Sequence, residues 1–228
     1  MVKRTKVALI GLGNIGFRHL QGLGSVVADI EVTGVDPASA AVERADAEWS
    51  RLGGVGRFVT RLDDLGDADV AILATSSRGR LELMKAVGAI ARPRFVVLEK
   101  VVFTKVADFA AATEWAAAAG VTVHVNCPRR MWPLYRELRR MVSEAGEAPI
   151  HLEVTDPGLG LACNGVHIVD AFQYLIGDRP IEATEIRVDE VLPSKREGYH
   201  EVMGRVAYTS DRGDRLTLSV RTDDPPGH

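Results

Sequence analysis

The sequence predicts an α/β protein: a doubly wound parallel sheet, followed by an α+β domain with a mostly antiparallel sheet. Three observations carry this. Up to residue 126, short apolar runs alternate with helix-periodic segments, the pattern of strand–helix–strand crossovers. The first run passes into the glycine-rich stretch "VALIGLGNIGFRHL" (7–20). Beyond Gly146 the chain changes to longer alternating runs, as in an antiparallel sheet with one solvated face.

Each element has its reason. "KVALI" (6–10) is a short apolar run suited to a strand buried on both faces, and a helix follows from about Ile15 to Leu23. "IEVTGVD" (30–36) is the second strand, and "PASAAVERADAEW" (37–49) a helix with Pro37 in its first turn. "RFVT" (57–60) is a weak strand, "DVAILAT" (69–75) a strong one, and "RLELMKAVGAIA" (80–91) a helix. "RFVVLEK" (94–100) is a strand, "ADFAAATEWAAAAG" (107–120) a helix that Gly120 can cap, and "VTVHVN" (121–126) the sixth strand. "PLYRELRRMVSEAG" (133–146) is helical, with apolar positions at 134, 138, 141 and 142. "IHLEVT" (150–155) alternates, and "VHIVDAFQYLIG" (166–177) is a helix ending at Gly177. "IEATEIRVDEVL" (181–192), "EVMGRVAYTS" (201–210) and "DRLTLSVRT" (214–222) are strands. The domains expected are therefore 1–126 and 127–228.

The totals narrow the function. A net charge of −3 argues against a nucleic-acid or anionic-membrane surface. Two cysteines, Cys127 and Cys163, make no disulfide framework and fit a reducing, cytoplasmic setting. The basic residues before "VALIG" resemble a secretion signal, but the apolar run breaks too soon at Gly11. No stretch approaches the ~20 apolar residues of a membrane span. There is no His-Glu-x-x-His and no Cys-x-x-Cys, so no metal is expected.

The glycines have a physical task. Gly11 allows a tight turn, Gly13 lets a pyrophosphate approach the backbone, and Gly16 lets helix and strand pack. With Asn14 and Ile15 they form the turn that offers helix N–H groups and a positive dipole end to phosphates. Asp36 stands 20 residues beyond Gly16, at the end of the second strand. It can accept hydrogen bonds from ribose hydroxyls; alternatively it is a turn aspartate before Pro37. This is the arrangement of a Rossmann dinucleotide-binding domain. Asp36 would repel a 2′-phosphate and no Arg follows it directly, so NAD is favoured over NADP. Enzymes using S-adenosylmethionine share a glycine-rich first loop, but the second half of the chain speaks against them.

Ligands of such sheets bind beyond the carboxyl ends of the strands. Thr75, Ser76 and Glu99 lie there and are expected on the cofactor side. Lys100 follows Glu99; its ammonium can hydrogen-bond a substrate oxygen and stabilise an alkoxide, or it is a solvated lysine paired with Glu99. His167 and Asp170 share a helical face at i, i+3. An imidazole there can exchange a hydroxyl proton with a carboxylate orienting it; the alternatives are a capping or core histidine and a structural aspartate. In "NCPRRMWPLY" (126–135), Arg129 or Arg130 can hold a substrate carboxylate or phosphate and Trp132 can stack on a ring. Packing at the domain junction is the other reading of Trp132. Cys127 reads as a small buried filler.

In this order and spacing, "VALIGLGNIGFRHL", "VVLEK" and "GVHIVDAFQYLIG" resemble the glucose–fructose oxidoreductase / inositol dehydrogenase / MocA family, over nearly the whole chain. The resemblance implies a Rossmann domain and a sheet domain that forms the substrate site and often the oligomer interface. It implies NAD(P)-dependent oxidation or reduction of a secondary alcohol on a sugar, cyclitol or nucleotide-sugar. The family's Glu-Lys-Pro falls on Glu99, Lys100 and Val101, and its active-site histidine on His167. Three departures stand out. Val101 replaces the proline. Cys163 replaces an aspartate four residues before the histidine, so either His167 acts without it, or Asp170 or Asn164 takes part of its orienting role, or the activity has changed or been lost. The chain stops before family members usually do, and "TDDPPGH" (222–228) reads as a turn, so a shortened second domain is expected.

The resulting expectation is a cytoplasmic homo-oligomer, a dimer or tetramer through the second-domain sheet, that transfers a hydride between NAD and a sugar-like small molecule. Lys100, His167 and Asp170 would be catalytic; Arg129, Arg130, Trp132 and Asn164 would meet the substrate. The other hypothesis is a catalytically impaired dinucleotide-binding protein with a regulatory or assembly role.

Overall fold

The computed structural model describes residues 4–26, 29–194 and 197–220. The chain divides into two compact units, Met1–Asn126 and Cys127–His228.

The first unit alternates strand and helix throughout. β1 (Thr5–Ile10), β2 (Ile30–Val35), β3 (Val55–Val59), β4 (Val70–Leu73), β5 (Phe95–Leu98) and β6 (Thr122–Val125) form one sheet in the order β3-β2-β1-β4-β5-β6. Every pairing in it is parallel. The helices are α1 (Asn14–Leu23), α2 (Ser39–Arg51), α3 (Arg80–Ala91) and α4 (Val106–Ala119). Two apolar clusters form the core. Val7, Leu9, Leu12, Leu20, Val32 and Trp49 make one; Ala8, Ile10, Leu73, Met84, Val87 and Leu98 make the other. Alternate residues of β1 thus go to opposite clusters, which is why its sequence is a continuous apolar run. The strand order reverses between β1 and β4, and the crevice at such a reversal is where doubly wound sheets hold ligands.

Most boundaries fall within two residues of the sequence expectation. Pro37 is a correction. It lies outside α2, whose N-cap is Ala38, because Asp36 Oδ1 accepts the Ala38 N–H at 2.9 Å and holds a turn there. Gly120, at φ 65, ends α4 as expected.

The second unit holds α5 (Pro133–Glu144), α6 (Gly165–Leu175) and a four-stranded sheet. Its strands are β7 (His151–Thr155), β8 (Ile181–Pro193), β9 (His200–Ser210) and β10 (Arg215–Val220), in the order β7-β10-β9-β8. β8–β9 and β9–β10 are antiparallel, but β7 runs parallel to β10. Ile168, Phe172 and Ile176 of the α6 region pack with Leu216 and Leu218. β8 carries two register shifts, between Ala183 and Glu185 and between Val188 and Glu190. A 3₁₀ turn at Pro128–Met131 lies within the stretch 126–135 that the sequence offers for substrate contact. The turn expected at 222–228, and the end of the strand expected over 214–222, lie outside the described residues.

Candidate active site

The candidate residues fall into two groups, one in each unit. In the first, the glycine turn begins where β1 ends. Gly11 sits at φ +89, in the left-handed region that favours glycine. Its N–H donates to Val35 O at 2.8 Å, tying the turn to the end of β2. A Cβ on Gly16 would stand 1.8 Å from the Gly11 carbonyl oxygen, so helix and turn meet at backbone distance. A Cβ on Gly13 would meet nothing within 4 Å. Gly13 is also the N-cap of α1, with no side-chain cap over the helix start. Open space, uncapped first-turn N–H groups and the dipole end coincide there, which suits a pyrophosphate. Asn14 is exposed and Ile15 half-buried in that first turn.

Asp36 is the turn aspartate of the second reading, and it braces the glycine turn as well. Its Oδ2 accepts the Leu12 N–H at 2.7 Å and its Oδ1 that of Ala38. The carboxylate therefore braces the glycine turn from the tip of β2. A carboxylate has about four acceptor positions, and these two hydrogen bonds use half of them. Arg44 donates to Leu12 O at 2.9 Å and lies over the Phe17 ring. With Asn14, Arg18 and Gln21 these two line a cavity of about 270 Å³ beside the turn.

At the ends of β4 and β5, Arg80 was missed by the sequence reading. It is 1% exposed. Its Nη1 donates to the carbonyls of Val101 at 2.7 Å and Val102 at 2.9 Å, and also to that of Glu99; its Nη2 donates to Thr75 O. One guanidinium thus gathers backbone carbonyls from both strand ends. Nothing in "SSRGRLE" distinguishes it from a solvated first-turn arginine. Ser76 is exposed, and Thr75 Oγ1 donates to Ser76 O at 3.3 Å. The Lys100–Val101 peptide bond is cis. Lys100 is half-buried.

Glu99 is 7% exposed, and its Oε1 takes two side chains: His19 Nε2 at 2.8 Å and Asn126 Nδ2 at 2.6 Å. Burial alone would raise its pKa. The His19 and Asn126 hydrogen bonds, the His19 charge and the Lys100 backbone N–H outweigh this and hold it below the ordinary carboxylate value. His19 also escaped the sequence reading. Its position three residues after Gly16 was the available signal.

In the second unit, His167 lies in the first turn of α6 and is half-buried. Asp170 was expected to orient it. Its Oδ1 instead accepts from Arg130 Nε at 2.8 Å, and its Oδ2 is buried without a hydrogen-bond partner. Arg130, expected to hold a substrate anion, is correspondingly engaged by carboxylates of its own chain. Its Nη1 reaches Asp178 Oδ1 at 2.5 Å, and Asp178 Oδ2 also accepts from Arg139 at 3.2 Å. Both guanidiniums lie over the Tyr174 ring. Arg129 is bound to Tyr135 Oη at 2.8 Å and lies over Trp132, which is 48% exposed. Asn164, the N-cap of α6, donates to Leu159 O at 2.8 Å. Cys163 is exposed, and its N–H lies 3.3 Å from both Glu201 carboxylate oxygens. Among the described residues, no cluster of three or more His, Cys, Asp or Glu could hold a metal ion.

Known proteins resemble this chain in sequence and fold. Inositol 2-dehydrogenase 3 of Saccharopolyspora erythraea is 28% identical over 229 residues, covering 94% of this chain and 66% of the relative. The chain therefore spans just under two thirds of that curated relative's length. That relative is an inositol dehydrogenase, in keeping with the resemblance read from the motifs. Scyllo-inositol dehydrogenase from Lactobacillus casei, solved with NAD(H) and scyllo-inositol, superposes with a TM-score of 0.71 at 15% identity, covering 95% of this chain and 69% of that one. The WlbA dehydrogenase from Bordetella pertussis, solved with NADH and UDP-GlcNAcA, gives 0.76 at 21% identity, covering 99% and 72%. At these identities the likeness shows a shared fold, a parallel-sheet unit followed by a mixed-sheet unit. No protein-family model matches the sequence.

Proposed function

We propose that this chain is an NAD-dependent oxidoreductase acting on a secondary alcohol or ketone of a cyclitol, sugar or nucleotide-sugar. One observation carries the reading: the open, uncapped turn at Gly13 stands on the same carboxyl edge of the sheet as Asp36 and the Glu99–Lys100 strand end. The inositol dehydrogenase relative and the two dinucleotide-bound neighbours support it.

The residues fit the cofactor. Gly11, Gly13, Asn14, Ile15 and Gly16 would hold the pyrophosphate and Asp36 the ribose, with Thr75 and Ser76 beside them. A negative carboxylate at the ribose disfavours a 2′-phosphate, so NAD is preferred to NADP. When bound, NAD supplies the hydride acceptor or donor. The chain's own residues do the rest. Lys100 donates a hydrogen bond to the reacting oxygen and stabilises negative charge on it. His167 exchanges the hydroxyl proton. Asn164, Arg129 and Trp132 contact the substrate, while Asp170 and Arg130 act as a structural pair within the second unit. Division of labour follows the two units: dinucleotide in residues 1–126, substrate and self-association in 127–228.

The protein is further proposed to be cytoplasmic and to self-associate as a dimer or tetramer through the second sheet. Ile186, Val188 and Val191 of β8 are 72, 55 and 56% exposed, an apolar row that supports such a contact. Native mass spectrometry reads the subunit number.

A turnover assay over inositols, sugars and nucleotide-sugars, followed by nicotinamide absorbance, tests the activity. Cys163, a thiol where the family carries a carboxylate, favours a second reading: a dinucleotide-binding protein without catalysis. Binding of NAD with no turnover on any substrate would support that reading against the first.

A further inference from the structure

We propose that His19 is a positioning residue for Lys100, acting through Glu99 to couple the dinucleotide-facing helix to the lysine-bearing strand end. This rests on the reading of Lys100 as the group that meets the substrate oxygen.

His19 lies on α1, the helix opened by the glycine turn, and Glu99 lies 80 positions away at the end of β5. Their side chains meet at 2.8 Å, with 20% and 10% of their surfaces exposed. Asn126, at the end of β6, donates to the same Glu99 oxygen at 2.6 Å. The Lys100 backbone N–H lies against that carboxylate. Arg80 holds the carbonyls on either side of Lys100, those of Glu99 and Val101. The peptide group between Glu99 and Lys100 is therefore held at both its C=O and its N–H, and the chain is held again at the Val101 carbonyl, by groups drawn from α1, α3 and the residue after β6.

A buried carboxylate is costly unless its acceptor sites are filled. Apolar residues would pack this corner equally well, but they would not aim an acceptor at the Lys100 N–H. His19 is the member of the network that sits on the cofactor helix. The path from α1 to Lys100 runs through one imidazole and one carboxylate. Removing the imidazole leaves Glu99 without one donor and frees the strand end, while the glycine turn keeps its own bracing from Asp36.

The test compares the parent with His19→Leu, which removes the donor, and His19→Gln, whose amide nitrogen can stand where Nε2 does. Three quantities are read: NAD affinity by calorimetry, kcat and KM on a panel substrate, and the acylation rate of Lys100 by an amine-selective reagent, followed by mass spectrometry without cofactor. In His19→Leu, kcat is expected to fall about tenfold to a hundredfold, the usual cost of losing a supporting partner. NAD affinity holds, Lys100 acylates faster, Lys85 and Lys105 do not, and His19→Gln recovers most of the loss. Unchanged kcat and unchanged Lys100 acylation in folded His19→Leu would overturn the proposal and leave the oxidoreductase reading standing. A parent that turns over nothing removes that reading instead, and the acylation rates then decide the role of His19 alone. Should His19→Leu fail to fold, Asn126→Leu takes away the second donor and carries the same expectations.

Discussion

The two units hold their polar side chains in different ways. Around the glycine turn and Arg80 in the first, side chains grip backbone: Asp36 accepts the Leu12 and Ala38 N–H groups, Arg44 donates to Leu12 O, and Arg80 gathers the carbonyls at two strand ends. Around Tyr174 in the second, side chains grip one another: Arg130 is held by Asp170 and Asp178, and Asp178 is shared with Arg139. Backbone gripped this way becomes a rigid frame around a place left open, the turn over Gly13. Side chains paired with each other are neutralised, and residues that looked available for substrate turn out to be occupied.

Four measurements bear on this difference between the two units. The largest effect belongs to the glycines. Gly16→Ala puts a methyl 1.8 Å from a carbonyl oxygen, and urea melts should show a loss of about 3 kcal/mol or more. Gly13→Ala faces open space and should cost within about 1 kcal/mol while weakening dinucleotide binding. Equal destabilisation by the two would mean that the turn is only structural. Next is Lys100→Met, expected to lower kcat by about a hundredfold, or some 2.7 kcal/mol of transition-state stabilisation. Unchanged turnover would remove Lys100 from the chemistry.

Third, Arg130→Ala and Asp170→Asn should each destabilise the second unit by about 1–2 kcal/mol, as befits a half-buried pair. Each should leave kcat within about threefold, below 0.7 kcal/mol. A folded Asp170→Asn with no turnover would restore Asp170 to the catalytic set. The smallest effect is acid sensitivity. Glu99 is held below its ordinary value, so its contribution to stability is complete above that value and is lost as pH falls through the lower, folded one. Stability measured against pH should show this acid-side loss in the parent and a smaller one in Glu99→Gln. Identical profiles would deny the carboxylate its role.

What the sequence revealed follows the same division. The alternation of strands and helices, the glycine turn and Asp36 were legible because each depends on local backbone geometry that only certain residues satisfy. Gly11 at φ +89 and the missing Cβ of Gly16 are written in the residue types themselves. The Arg130–Asp170 and Arg130–Asp178 pairs span 40 and 48 positions. His167 and Asp170, three apart on a helix, looked like partners, yet a tertiary contact from the 128–131 turn claimed the aspartate. The burial of Arg80 was hidden for the same reason: a first-turn arginine looks solvated until the carbonyls of two strand ends converge on it. The parallel pairing of β7 with β10 is likewise a fact of topology, since alternation marks a half-buried strand without giving its direction.

The proposed role of the glycine turn, braced by Asp36, is to cradle NAD. Isothermal titration of the purified protein with NAD and NADP reads this without a substrate. Saturable binding of NAD is expected, at least about tenfold tighter than NADP, or 1.4 kcal/mol, with the difference narrowed in Asp36→Ala. No heat with either dinucleotide, or tighter binding of NADP, would contradict it.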